Sequence, residues 1–165
     1  MSEPAFEPLS EPDTLRAKRA VRAAPVPQGR YVPAVVDGDL VFSAGMTPRQ
    51  EGILALTGRV GDTVGVPEAA EAAGLAVRNA VAACTTAADA VGRVVIRSVR
   101  LTVWVACTAD FTGQSAVADG ASAVLAERFG PDLLPARAAV GVVALPGGAP
   151  VEVELTAALA PAGPW

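Results

Sequence analysis

Residues 134–155 contain two apolar runs around a turn-forming segment, in the sequence LPARAAVGVVALPGGAPVEVEL. A Gly-Gly pair between runs rich in β-branched residues is typical of a β-hairpin. The pattern therefore predicts two antiparallel strands that pair directly across a turn centred near Gly148. In simple register Glu152 lies opposite Ala144. Arg137 then lies about seven residues further along, on the order of 20 Å away at the rise of a strand.

Arg137 is the charged residue of the first predicted strand. Because side chains alternate between the two faces of a strand, Arg137 shares its face with Ala139 and Gly141. That face is otherwise bare, which leaves room for a ligand beside the guanidinium. A guanidinium can bind a carboxylate through two parallel hydrogen bonds. A ligand site and a plain surface hairpin with a salt-bridged arginine both fit this local pattern.

The composition limits the classes of function. The length of 165 residues favours one domain, and its 52% apolar content is rich in alanine, with only 4% aromatic residues. The net charge of −4 argues against a nucleic-acid partner, because phosphate binding needs clustered Lys and Arg. The chain has no His, which excludes a Ser-His-Asp triad, a Cys-His pair and a His-ligated metal. We therefore expect no metal site.

The two cysteines, Cys84 and Cys107, stand alone in unlike settings. Each is expected to be a small buried apolar residue rather than a nucleophile or half of a disulfide. The N-terminal residues lack a secretory apolar region, and no apolar stretch approaches a membrane span. A cytoplasmic protein with no membrane partner is the expectation.

The periodicity of the apolar residues predicts the remaining elements. Residues 67–91 and 112–129 have the spacing of helices, ended by Gly92 and by Gly130-Pro131. Arg78 and Asn79, within the first helix, are expected in solvent. Short strands are expected at residues 31–36, at 40–44 and near 54–60, and a long one at 93–107.

The faces of the long strand differ in character. One carries Val95, Val99, Leu101, Val103 and Val105 and suits packing under helices. The other mixes polar groups with large apolar ones, which favours a subunit contact or a cleft; its members are Ile96, Ser98, Arg100, Thr102 and Trp104.

The element order β-β-(β)-α-β-α-β-β predicts an α+β fold, a single mixed β-sheet with two helices packed on one face. We divide the chain into an N-terminal extension at residues 1–28, a domain at 29–160 and a C-terminal tail at 161–165. A short basic helix is expected at residues 13–23 of the extension.

Short motifs recur in order along most of the chain. They are GRYV at 29–32, VFSAGMTP at 41–48, GRVG at 58–61, DF at 110–111, PAR at 135–137 and VEVE at 151–154. In this order, with no gap in the spacings from 31 to 45 and from 137 to 152, they resemble the RidA/YjgF (Rid) family of enamine/imine deaminases.

The resemblance implies a chorismate-mutase-like (RidA-like) homotrimer with clefts between subunits. It implies hydrolysis of reactive 2-imino acids to 2-keto acids and ammonia, with no cofactor. By the same resemblance, Arg137 holds the substrate carboxylate and Glu152 holds and polarises the attacking water. Tyr31 of a neighbouring subunit lines the cleft, and Gly45 and the backbone around Ala139 contact the imine end.

The chain departs from the family pattern in three places. Ala139 stands where deaminases often carry Cys, and Met46, after Gly45, stands where Gln is common. An Asn found at a helix start in many members has no clear match around Ala118-Asp119. A non-catalytic or pathway-specialised binder of small carboxylate or imine metabolites, in the same cleft, is the alternative function. Whether the chain is a deaminase or a binder, the hairpin register separates Arg137 from Glu152. The two residues are therefore predicted to meet across a head-to-tail subunit interface.

Overall fold

The computed structural model describes residues 26–163, and the predicted helix at residues 13–23 lies outside them. The described elements follow the predicted order, except that two short strands, at residues 49–50 and 53–54, replace the one expected near 54–60. They are β1 (Ala34–Asp37), β2 (Leu40–Ser43), β3 (Arg49–Gln50), β4 (Ile53–Leu54), α1 (Val66–Asp89), β5 (Arg93–Ala106), α2 (Gln114–Phe129), β6 (Ala136–Val142) and β7 (Val151–Pro161).

The main sheet has the strand order β1-β2-β7-β5-β6, so β1 and β6 are its edges. β5 pairs parallel with β6 and antiparallel with β7, and β7 pairs antiparallel with β2. β3 and β4 form a separate two-stranded sheet. The single mixed sheet is therefore built around β5, the longest strand, with 14 residues.

The hairpin predicted for residues 134–155 is wrong, because β5 lies between β6 and β7. A 3₁₀ turn at Pro146–Gly148 carries the chain past the end of β5, where the Ala106 N–H donates to the Pro150 carbonyl at 2.9 Å. Gly147 and Gly148 adopt φ values of +67° and +75°, which glycine reaches at little cost. The Pro-Gly-Gly segment thus reverses the chain as predicted, but across two strand spacings instead of one.

The apolar face of β5 is only partly as predicted. Leu101, Val103 and Val105 are fully buried, as expected. The pairing of β5 with β7 shifts between Val95 and Arg97 and again between Ser98 and Arg100. Each irregularity adds one residue to β5 and reverses the alternation of faces. Ser98 is therefore buried on the apolar face, where the uninterrupted alternation had predicted Val99.

The helix α1 begins with Pro67 in its first turn and buries a stripe of small residues against the sheet. The expectation that Asn79 lies in solvent is wrong. Its amide is buried and donates to the carbonyls of Thr47 and Arg49 at 3.2 and 3.0 Å. These two bonds attach α1 to the segment that follows β2, and they satisfy a polar group that burial would otherwise make costly.

The helices α1 and α2 approach closely where Gly120 meets Ala70. A Cβ at Gly120 would overlap the backbone carbonyl of Ala70. Under the helices, one face of the central strands is buried, at Val103 and Leu101 of β5 and Val153 of β7. The predicted architecture, two helices on a mixed sheet, is confirmed. Within residues 26–163, no helix is both long and apolar enough to span a membrane.

Candidate functional site

Arg137 lies near the start of the edge strand β6, beside Leu101 of β5. Paired residues share a face, and Leu101 is buried toward the helices. The guanidinium therefore points to the helix side and reaches α2. Its Nη1 donates to Asp119 Oδ1 at 2.7 Å and to Ser122 Oγ at 2.8 Å, and its Nη2 donates to Ser115 Oγ at 2.8 Å.

The prediction that the face of Arg137 is otherwise bare is therefore wrong, because α2 covers it with polar side chains. Ser115, Asp119 and Ser122 were missed from the sequence. Their spacing of four and then three residues places them on one side of a helix, which is the signal that could have revealed them. Nothing local in the sequence states that this side of α2 meets β6.

Glu152 lies on β7 beside Trp104 of β5, on the face opposite to the helices. Its neighbours along the strand, Val151 and Val153, are fully buried on the helix side. Gly45 packs directly on Glu152, since a Cβ at Gly45 would collide with the carboxylate. Burial is the main cause that raises the pKa of Glu152 above its ordinary value, and the negative charge of Glu154 raises it further.

Within one chain, Arg137 and Glu152 do not form a common site. Arg137 is level with Leu101 and Glu152 with Trp104, on either side of β5. Their Cα atoms are about 14 Å apart, because the two residues are offset by three residues along the strand and by two strand spacings across the sheet. The predicted hairpin set Glu152 opposite Ala144 and on the order of 20 Å from Arg137. Both the register and the distance are wrong. The two side chains also leave opposite faces of the sheet, so the conclusion that neither reaches the other stands.

The other predicted substrate contacts are spread over the same sheet. Ala139 pairs with the buried Val103, so it lies on the helix side with Arg137 and packs on the core. Tyr31 precedes β1 and is 46% exposed, and its hydroxyl accepts a hydrogen bond from the backbone N–H of Gln28 at 3.3 Å. The structure therefore brings Gly45 to Glu152 and places Ala139 on the face of Arg137.

A pocket of about 350 Å³ lies at the other end of β6, beside Gly141. Arg59 donates to the carbonyl of Cys107 there at 2.8 Å, and the amide of Gln114 donates to its sulfur at 3.8 Å. Burial raises the pKa of the other cysteine, Cys84, to about 12, so that thiol is an inert core group as predicted. No group of three or more potential metal ligands occurs among the described residues.

Comparison with known proteins places the chain in a family. The sequence profile of the Endoribonuclease L-PSP family matches residues 21–159. Protein TCP17 of Trypanosoma cruzi is 38% identical over 136 residues, which are 80% of this chain and 82% of that protein.

Two solved structures extend the comparison. Atu1372 of Agrobacterium tumefaciens, a protein of unknown function, is 34% identical with a TM-score of 0.73, over 79% of this chain and 83% of its own. TdcF of E. coli, solved with bound serine, is 25% identical with a TM-score of 0.60, over 82% of this chain and 92% of its own. The chain therefore belongs to the Endoribonuclease L-PSP family, which is the RidA/YjgF family that its motifs resemble.

Proposed function

We propose that the protein hydrolyses small 2-imino (enamine) acids to 2-keto acids and ammonia, at a site that two subunits build together. The observation that carries this proposal is the position of Arg137. Its guanidinium lies on the helix side of the edge strand β6, the face that it shares with the small residue Ala139, and is directed by hydroxyl groups of α2. Such a guanidinium can take a planar carboxylate through two hydrogen bonds.

Glu152 is proposed to accept a proton from the attacking water. Its raised pKa makes it a stronger base than an exposed glutamate. The absence of a side chain at Gly45 makes room for the Glu152 carboxylate, which packs against the Gly45 backbone. Water adds to the C=N carbon and gives one proton to Glu152, and the nitrogen takes up a proton. The C–N bond then breaks while the new hydroxyl loses its proton, which gives a keto acid and ammonia. A protonated imine is already electrophilic, so positioning the water supplies much of the acceleration, and no cofactor is needed.

A homotrimer is proposed because one chain cannot bring Arg137 to Glu152. The face of the sheet opposite to the helices supports this. It presents Phe42, 42% exposed, with Val35 beside it, and it presents Val140 beside the half-buried Trp104. An apolar area of this kind, mixed with polar groups, is typical of a subunit contact. In a cyclic trimer the head-to-tail interface recurs three times.

The ligand class is a small amino-acid-like carboxylate. Serine bound to TdcF, a member of the same fold, supports a ligand of this size. RNA cleavage, which the family name suggests, does not suit this chain, since its net charge is −4 and it has no His. Cys84 and Cys107 are both free thiols, which is consistent with the proposed cytoplasmic location.

The proposal is tested by generating 2-iminobutanoate in situ with an amino-acid oxidase and following release of the keto acid. We expect the wild-type protein to accelerate release, equally with and without EDTA. Binding of 2-oxobutanoate without any acceleration would identify a non-catalytic binder instead. Loss of activity in EDTA that zinc or manganese restores would contradict the cofactor-free mechanism.

A further inference from the structure

Arg137 already has a carboxylate partner within its own chain. Asp119 Oδ1 accepts from Nη1 at 2.7 Å, in the position that one oxygen of a bound carboxylate ligand takes on a guanidinium. The same Nη1 donates to Ser122, and Nη2 donates to Ser115. Both terminal nitrogens therefore have partners from α2. A ligand that binds them side by side has to displace Asp119 or Ser122 from Nη1.

The exposures of the two side chains show which one can move. The Asp119 side chain is 69% exposed, whereas the Arg137 side chain is only 23% exposed. Asp119 can turn into solvent without opening the core. When Asp119 turns away, Arg137 keeps its direction, because the hydroxyls of Ser115 and Ser122 still accept from its two terminal nitrogens.

We infer that Asp119 is an internal competitor for the substrate carboxylate and so sets the affinity and charge selectivity of the site. This inference rests on the proposed function, in which Arg137 binds that carboxylate. Asp119 neutralises Arg137 in the empty site, so a carboxylate ligand gains only the difference between its own ion pair and the one with Asp119. A neutral ligand that does not use the guanidinium avoids this competition.

The test compares Asp119→Asn and Asp119→Ala with the wild-type protein by calorimetry. The ligands are 2-oxobutanoate and its neutral amide, 2-oxobutanamide. Exposed ion pairs are weak, so removing the competitor should tighten 2-oxobutanoate binding by about two- to fivefold. The affinity for the amide should stay the same in all proteins.

Glu127→Gln is the matched control. Glu127 is an exposed acidic residue of the same helix, near its C-terminal end, so its replacement changes the net charge equally without touching Arg137. It should leave the affinity for 2-oxobutanoate unchanged. An equal gain in Glu127→Gln would show a general charge effect and overturn the inference.

The two ways of failing are distinct. If the wild-type protein binds 2-oxobutanoate and the Asp119 variants bind it no better, the inference is wrong and the proposed function stands. Weaker binding in the variants would also overturn it, because Asp119 would then position Arg137 for the ligand. If neither the wild type nor the variants bind 2-oxobutanoate, the proposed function and the inference both fail.

Discussion

At the scale of single residues, Arg137 depends on another element for its direction. The strand brings its Cα to the edge of the sheet, and three side chains of α2 then hold the guanidinium. Arginine suits this arrangement because its planar guanidinium has five N–H donors, so that one group can bond both to α2 and to a ligand.

Arg137→Ala should therefore remove binding of 2-keto acids while the fold survives. Charged hydrogen bonds contribute about 1.5–3 kcal/mol, so we expect 2-oxobutanoate affinity to fall by roughly 10- to 100-fold. Arg137→Lys should recover little of it, since an ammonium cannot fork. Calorimetry measures both, with Arg78→Ala, an exposed arginine of α1, as the control of equal charge change. Unchanged affinity in Arg137→Ala would remove Arg137 from the site.

Glu152 predicts a dependence of stability on pH. Burial raises its pKa in the folded state, so the folded protein holds this proton more tightly than the unfolded chain. Stability should therefore fall as the pH rises through the interval between the ordinary and the raised value. Above that interval the ionised, half-buried carboxylate of Glu152 lowers the free energy of unfolding. Glu152→Gln removes this charge.

Thermal unfolding of Glu152→Gln and wild type across pH 4–8 tests this dependence. The variant should be the more stable protein at pH 8, and its advantage should shrink as the pH falls toward the ordinary glutamate range. An advantage for the wild type at pH 8 would show that the charged form of Glu152 is stabilised by the fold, which contradicts the raised pKa.

Motifs in the sequence select Arg137 and Glu152 as candidate site residues, but they do not predict what surrounds them. The spacing of PAR and VEVE selects the two candidates without any knowledge of the fold. The partners of Arg137 come from α2, some 15 to 22 positions earlier in the chain, and they depend on how helix and sheet pack. Contacts of this kind follow from tertiary structure, which local patterns do not encode.

At the scale of elements, helices were predicted more accurately than strand pairing. The helix predicted at residues 112–129 is observed at Gln114–Phe129, because helical periodicity is a local property. The partner of β6 is a non-local choice. A Gly-Gly turn favours a hairpin, yet β6 pairs with β5, which lies about 36 residues earlier. The irregularities in β5 were not predicted, although Arg97 interrupts the apolar alternation between Val95 and Val99, beside the first of them.

Gly120 tests the contact between α1 and α2. Alanine would favour the isolated helix by about 1 kcal/mol, but its Cβ would overlap the Ala70 carbonyl and force the helices apart. Overpacking of this kind costs about 1–3 kcal/mol, so Gly120→Ala should be net destabilising by up to about 2 kcal/mol. Denaturant unfolding measures the change.

Gly74→Ala is the matched control on the facing helix. Its Cβ would come no closer than 3.3 Å to a neighbour, so its effect on the free energy of unfolding should be clearly smaller. Equal effects of the two substitutions would show that close approach at Gly120 does not limit the packing of the helices.

At the scale of the whole molecule, the sheet separates the two proposed catalytic groups. The Arg137 side chain points to the helix side at one edge of the sheet, and the Glu152 side chain points to the opposite face, next to Gly45. In the proposed site, each chain therefore supplies Arg137 to one cleft and Glu152 to another. Light scattering should give the mass of a trimer at micromolar concentration, and a stable monomer would contradict the shared site.

The shared site is tested most directly by mixing two inactive proteins. Arg137→Ala and Glu152→Gln should each lack imine hydrolysis when assembled alone. Refolded together in equal amounts, about one interface in four pairs an intact arginine with an intact glutamate in a cyclic trimer. We predict that activity returns to about a quarter of the wild-type value. Mixed trimers that are seen by native mass spectrometry but hydrolyse no imine would contradict the account, and Glu152 would then be a structural charge.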